Sequence, residues 1–145
     1  MDQTTIIRIV SGVLFLLVLA EVIAYVALLS RVLKKCSPQS RTMQPGRVWL
    51  VLVPLFNFVW IFFVVNALAD SLENEFRLRN IAASEQKPGR TLGLAMAICM
   101  ACGIIPIINL VAIIPQLILW IMYRVKISGY SKLLDRVPVP VGRTA

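Results

Sequence analysis

The chain has 145 residues, 59% of them hydrophobic and 15% charged, and its mean hydropathy is +0.82. A soluble domain of this size keeps too much surface to hide that much apolar area, so lipid is expected as much of its solvent. There is no His, which excludes histidine acid–base chemistry and His-ligated metals, and no recognition motif accompanies the net charge of +8, so nucleic acid is not expected as a partner.

The first predicted element is a membrane-spanning helix over residues 9–30. Its apolar run, as far as Leu29, is broken only by Ser11, Gly12 and Glu21, and a span needs ~20 residues. Met1-Asp2-Gln3-Thr4-Thr5 lacks a basic residue and the run is long for a signal-peptide core, so an anchor with its N-terminus outside is expected. Arg31, Lys34 and Lys35 follow as a basic flank.

A polar loop containing Ser37-Pro38 and Pro45-Gly46 leads to the second apolar run, residues 47–69. Pro54 and Asn57 lie inside it. Proline removes a backbone donor and clashes with the preceding turn, so this run is expected to be re-entrant or Pro-broken. Beyond it, Leu68, Leu72 and Phe76 recur at four-residue spacing, and Glu73/Arg77 and Glu75/Arg79 are favourable pairs. The pattern predicts a short amphipathic helix over residues 70–80 at the membrane surface.

After the linker with Lys87-Pro88-Gly89 comes a third apolar run, residues 92–123. As one helix it would measure about 48 Å, against a hydrocarbon core of ~30 Å. A break at Pro106 is expected, giving two shortish membrane helices over 91–105 and 110–127, with a further kink at Pro115. Residues 135–145, with Pro138 and Pro140, are expected to form a flexible tail. Residues 1–134 then make a single transmembrane domain. The fold class is an all-α integral membrane protein with three full transmembrane helices, one re-entrant or Pro-broken helical hairpin and a short amphipathic helix.

Charge sets the threading. Arg8 alone precedes the first span; Arg31, Lys34, Lys35, Arg41 and Arg47 follow it, then Arg77, Arg79, Lys87 and Arg90, and finally Arg124, Lys126, Lys132, Arg136 and Arg143. If the second run is re-entrant, 14 of the 15 basic residues lie on the cytoplasmic side. If it crosses fully, at best ten do. The positive-inside rule prefers the re-entrant threading, with the C-terminus inside.

Glu21 is the sharpest single feature, because a carboxylate at the centre of a span costs ~2.5 kcal/mol or more. One reading makes it part of an ion or proton path with Asn57 and Asn109. The other makes it a structural lock, protonated and hydrogen-bonded to an amide on a neighbouring helix, with Asn57, Asn66 and Gln116 the candidates. Pro54-Leu55-Phe56-Asn57 and Pro106-Ile107-Ile108-Asn109 share the form Pro-x-x-Asn. That form suits either an internal repeat of broken hairpins or, more simply, Asn side chains capping the backbone groups that proline frees. Cys99 and Cys102 form a CxxC inside an apolar helix, and a thiol redox role ranks third. Gly93, Ala97 and Ala101, together with Ala95, Cys99 and Gly103, instead describe a close-packing helix face. Cys36 reads as a lone reduced thiol in a loop. Trp49 and Tyr123 stand beside basic flanks and are expected at the membrane interface. No nucleophile–base pair, carboxylate dyad or phosphate loop can be assembled, so no enzyme, catalytic residue, cofactor or metal is expected.

Pro45-Gly46-Arg47-Val48-Trp49-Leu50, Pro54-Leu55-Phe56-Asn57, Trp60, Ser71-Leu72 and Glu75-Phe76 stand in the middle of the chain, with Tyr123-Arg124-Val125-Lys126 and Gly129-Tyr130-Ser131 near its end. With these the chain resembles a group of small bacterial multi-pass inner-membrane proteins to which no activity is assigned. The resemblance implies a bacterial inner membrane and supplies no activity. The expected function is non-catalytic: a scaffold or accessory subunit acting by helix packing, as a homo-oligomer or with another membrane protein. The Gly93–Gly103 face and the Leu68–Phe76 stretch are the expected contact surfaces. A small channel or transporter built on Glu21 is the alternative.

Overall fold

A computed structural model describes residues 2–140. They are all-helical: α1 (Gln3–Lys35), a 3-10 helix (Pro45–Leu52), α2 (Asn57–Leu78), α3 (Arg90–Cys102) and α4 (Pro106–Arg136). Helices α1 and α4 have 33 and 31 residues and their apolar stretches have mean hydropathies of 2.6 and 1.9, so both are long and apolar enough to cross a membrane. Their own fold covers little of them. Only 17% of the apolar stretch of α1 and 6% of that of α4 is buried, where the core helix of a soluble protein would be mostly enclosed.

Side-chain contacts fix the directions of the helices. Glu21 meets Arg124, and further along Lys35 meets Asp135, so α4 runs parallel to α1. Helix α3 returns antiparallel to α4 through the turn at Gly103–Ile105, which brings Gly93 against Tyr123. The 3-10 helix starts beside Ser30, whose hydroxyl donates to the Pro45 carbonyl, and runs back along α1 until Val51 and Asn57 lie near Val18 and Val22. There the chain reverses. The Phe56 N–H donates to the Pro54 carbonyl at 2.8 Å, closing a three-residue turn in which Leu55 takes φ +67°. Leucine rarely adopts such a value, and proline before it supplies the fixed φ that lets the strand of backbone fold back. Helix α2 then descends parallel to α1 until Glu75 reaches Ser37. Residues 36–44, 79–89 and 137–140 therefore gather at one end of the molecule, which is its polar end.

Burial follows the same axis. Residues 3–24 of α1 are exposed, whereas Tyr25, Val26, Leu29, Val32 and Leu33 are buried. In α4 the buried set is Tyr123, Ile127, Ser131 and Leu134, one helical stripe confined to the second half. The core thus occupies the polar half, and the apolar half is open.

Several expectations are corrected by this arrangement. Residues 70–80 are not a separate surface helix; they are the last third of α2, with Ser71, Leu72, Glu75 and Phe76 buried and Phe76 edge-on to Tyr130. Helix α4 is not short. It continues through Pro115, which removes one backbone donor without ending the helix, and on to Arg136 because its last turns have α1 and α2 to pack against. The expected tail is therefore helical through Arg136, and residues 141–145 lie outside the described residues. Tyr123 is not at an interface but in the core, 1% exposed and tilted against Tyr25. The Pro-x-x-Asn repeat is not a structural repeat either. Pro54 precedes the first residue of α2 by three positions, whereas Pro106 is itself the first residue of α4, and neither helix start has a side-chain cap.

Candidate functional site

The strongest constellation of charge is at the polar end, and α2 supplies its centre. Glu75 and Arg79 are one turn apart on the stripe that also carries Leu68 and Leu72, so the helix that buries the leucines buries the charges with them. Their side chains are 0% and 7% exposed and the Arg79 Nε donates to Glu75 Oε1 at 2.7 Å. Glu75 also accepts from the Ser37 N–H at 2.8 Å and the Ser37 hydroxyl at 3.0 Å. Burial by itself raises the Glu75 carboxyl. The hydrogen bonds from the Ser37 amide, the Ser40 side chain, Arg79 and the Ser37 hydroxyl outweigh it, and the net direction is down.

Arg79 spends its remaining donors on backbone. Its Nη1 donates to the carbonyls of Leu134 and Val137 at 2.6 and 2.5 Å, and its Nη2 to that of Lys35 at 3.1 Å. These carbonyls end α4 and α1, where intrahelical partners run out and the helix dipole is negative. One guanidinium thus caps two helices while anchored on a third. Around it, the Lys35 ammonium donates to Ser131 Oγ and Asp135 at 2.7 and 2.6 Å, and Thr42 bonds Ser71 and the Ala67 carbonyl. Glu85 pairs with Lys126 and accepts from the Gly89 N–H, and both hold its carboxyl low. Cys36, expected as an ordinary loop thiol, is 1% exposed; burial first, then the Glu75 charge, push its thiol up to about 12 against Arg79 and Arg41. A thiol so held stays protonated and is a poor nucleophile. The chemistry of this cluster is joining, since every acid in it is answered by a cation or an N–H.

Glu21 lies elsewhere, on the exposed part of α1, and its partner is not an amide. Arg124 donates to it at 2.5 Å while lying 5.1 Å over the Trp120 ring. The parallel course of α1 and α4 puts this arginine level with Glu21. Asn57, Asn66 and Gln116 make no bond to it: each has a buried side-chain oxygen without a partner, and Asn66 donates only to the Phe62 carbonyl in its own helix. Asn109 sits at the start of α4, beside Gly103. The Asn side chains cap no helix, because the chain ends freed by proline are closed by backbone bonds from Asn57 N–H to Val53 and from Asn109 N–H to Ile105.

The small-residue face is used in part. Gly93 is buried against Val65 and Tyr123 of the same chain, Ala97 is buried as well, and Ala95, Cys99, Ala101 and Gly103 are half-buried. Leu68, Leu72 and Phe76 are likewise in the core. The Leu68–Phe76 stretch is thus taken up within the chain and the small-residue face in part, while exposed apolar surface lies on the outer faces of α1 and α4 and around the 3-10 helix and the start of α2. Cys36, Cys99 and Cys102 are free thiols. Sequence reasoning missed the Glu75–Arg79 junction as a buried feature, although both residues fall on the apolar stripe, which is the signal that could have found it. Comparison of the chain with protein-family models, curated proteins and solved structures finds no match.

Proposed function

We propose that the chain is a multi-pass protein of a bacterial inner membrane, acting without catalysis as a scaffold or accessory subunit through helix packing. One observation carries the reading: no more than 17% of the apolar stretch of either α1 or α4 is buried by a fold whose polar end is tightly bonded. An apolar helix surface of that extent needs lipid or a second protein to cover it. In this reading α1 crosses with its N-terminus outside, α3 and α4 form a crossing hairpin, and the 3-10 helix with α2 is re-entrant. The gathering of three polar segments at one end, with their basic residues, supports that threading. Single cysteines introduced at Gln39, Gln86 and Lys132 in a chain lacking native thiols are expected to react only from the cytoplasmic side. Labelling of the Gln86 position from outside would restore a full second crossing.

The exposed outer faces of α1 and α4 are the contact surfaces of this scaffold, by self-association or within a larger complex. Oligomeric state in native membranes, read by in-membrane crosslinking and native mass spectrometry, tests it; a lone monomer with no stable partner defeats the scaffold reading. A channel or transporter is the second reading, favoured by the partnerless oxygens of Asn57, Asn66 and Gln116. Glu21→Gln separates the two. Gln keeps the shape and can still accept from Arg124, so a scaffold retains fold and association, whereas a proton or cation path through Glu21 loses its flux in liposomes. A folded Glu21→Gln protein whose wild type conducts and which does not would replace the scaffold with a transporter.

A further inference from the structure

Between the outer faces of α1 and α4 runs an open groove of about 680 Å³. Ala24, Ala27 and Gly129 form its floor, and Arg31, Arg124 and Lys132 line it. Small floor residues let a bulky group approach both backbones, and no neighbouring side chain fills the space. The charge of the groove is unbalanced. Arg124 has Glu21 as its counter-ion, but Arg31 and Lys132 have no hydrogen-bond or carboxylate partner among the described residues, which leaves two free cations facing one cleft.

The surroundings say what anion fits. From the groove toward the open end, α1 presents Val13 and Leu17, in helical register with Ala24 and Leu28, and α4 presents Leu117, Ile118 and Ile121, all exposed. A soluble anion has no use for such walls. A molecule with a phosphate at one end and hydrocarbon at the other matches both parts, with its phosphate between Arg31 and Lys132 and its chains along the two helices. Arg124, held on Trp120, stands between the two regions as an aromatic–cation pair at the boundary between headgroup and hydrocarbon. We infer that this groove is a binding site for one anionic phospholipid. The inference rests on the membrane reading above.

The test uses the full-length protein in nanodiscs of phosphatidylcholine with and without phosphatidylglycerol, with retained lipid read by native mass spectrometry. Wild type is expected to retain phosphatidylglycerol in preference to phosphatidylcholine. Arg31→Ala with Lys132→Ala is expected to weaken that retention by about fivefold per cation removed. Both side chains are exposed and unbonded, so the fold is not at stake. Lys34→Ala with Arg47→Ala removes the same charge away from the groove and is expected to leave retention unchanged. Equal loss in the two double variants, or no headgroup preference in wild type, overturns the site. Displacement of the retained lipid by inorganic phosphate also overturns it, since the groove would then take an anion from solution. Protein that stays in the aqueous phase when detergent is removed overturns the membrane reading itself and the lipid site with it, whereas protein that inserts without preference overturns the lipid site alone.

Discussion

Arg79→Met is expected to destabilise the protein by about 3–5 kcal/mol, the cost of leaving a buried charge without its partner. Met fills much of the same volume, so the loss is electrostatic rather than a cavity: Glu75 stays buried, and the carbonyls of Lys35, Leu134 and Val137 lose their donor. Glu75→Leu is expected to cost a similar amount from the other side. The double variant should cost clearly less than the two losses added, because neither charge is then stranded. Unfolding in detergent micelles, followed by far-UV circular dichroism, reads all three, and strictly additive losses would show that the two residues do not work as a pair. The pair also sets an acid limit. The Glu75 carboxyl is lower in the folded protein than its unfolded value of about 4.3, so its contribution is complete above that value and is lost as pH falls through the folded one. Wild type should therefore lose stability below about pH 4 more steeply than Glu75→Leu does.

Gly93→Leu is expected to be the most damaging substitution in α3. A Cβ at this position would lie 2.5 Å from Val65 Cγ1 and 2.8 Å from Tyr123 Cε2. Both neighbours are core residues, exposed by 0% and 1%, with nowhere to withdraw. Even Gly93→Ala must push α3 from α2 and α4, at about 1–3 kcal/mol, and Leu should exceed that. Gly129→Ala is the control: a Cβ there meets nothing within 4 Å, so the better helix propensity of Ala should leave stability unchanged or raised by up to ~1 kcal/mol. Thermal unfolding of the three variants in one detergent decides the matter. A harmless Gly93→Ala would mean that α3 does not sit as close as this geometry has it.

The helical, apolar character of the chain is legible because it depends on composition and run length, which need no partner. The i,i+4 pairs of α2 are legible for a similar reason, since spacing alone brings Glu73 to Arg77 and Glu75 to Arg79. Spacing does not say which pair is buried. Arg77 is 78% exposed and Arg79 is 7% exposed, and the difference comes from which face of α2 turns toward α1. That is a tertiary fact, although the leucines two turns earlier point to it. The partner of Glu21 was hidden for another reason. Arg124 reads as a basic flank until α4 is known to run past it for a further three turns, and amides look like better companions for an acid in lipid. Tyr123 misled in the same way, because an aromatic beside a basic residue marks an interface only where the helix ends nearby.

The bonds of Arg79 also impose an order in time. Its anchor Glu75, Lys35 at the end of α1 and Ser37 just beyond it are all synthesised before it, whereas Leu134 and Val137 come more than fifty residues later. The junction of α1 with α2 can form once Arg79 has emerged from the ribosome. Its final closure waits until the end of α4 has emerged, because two of the acceptors do not exist until then. A nascent chain stopped anywhere before Leu134 keeps a charged, half-occupied guanidinium at its base. The arrival of the last turn of α4 is thus registered by the same side chain that holds the three helices together.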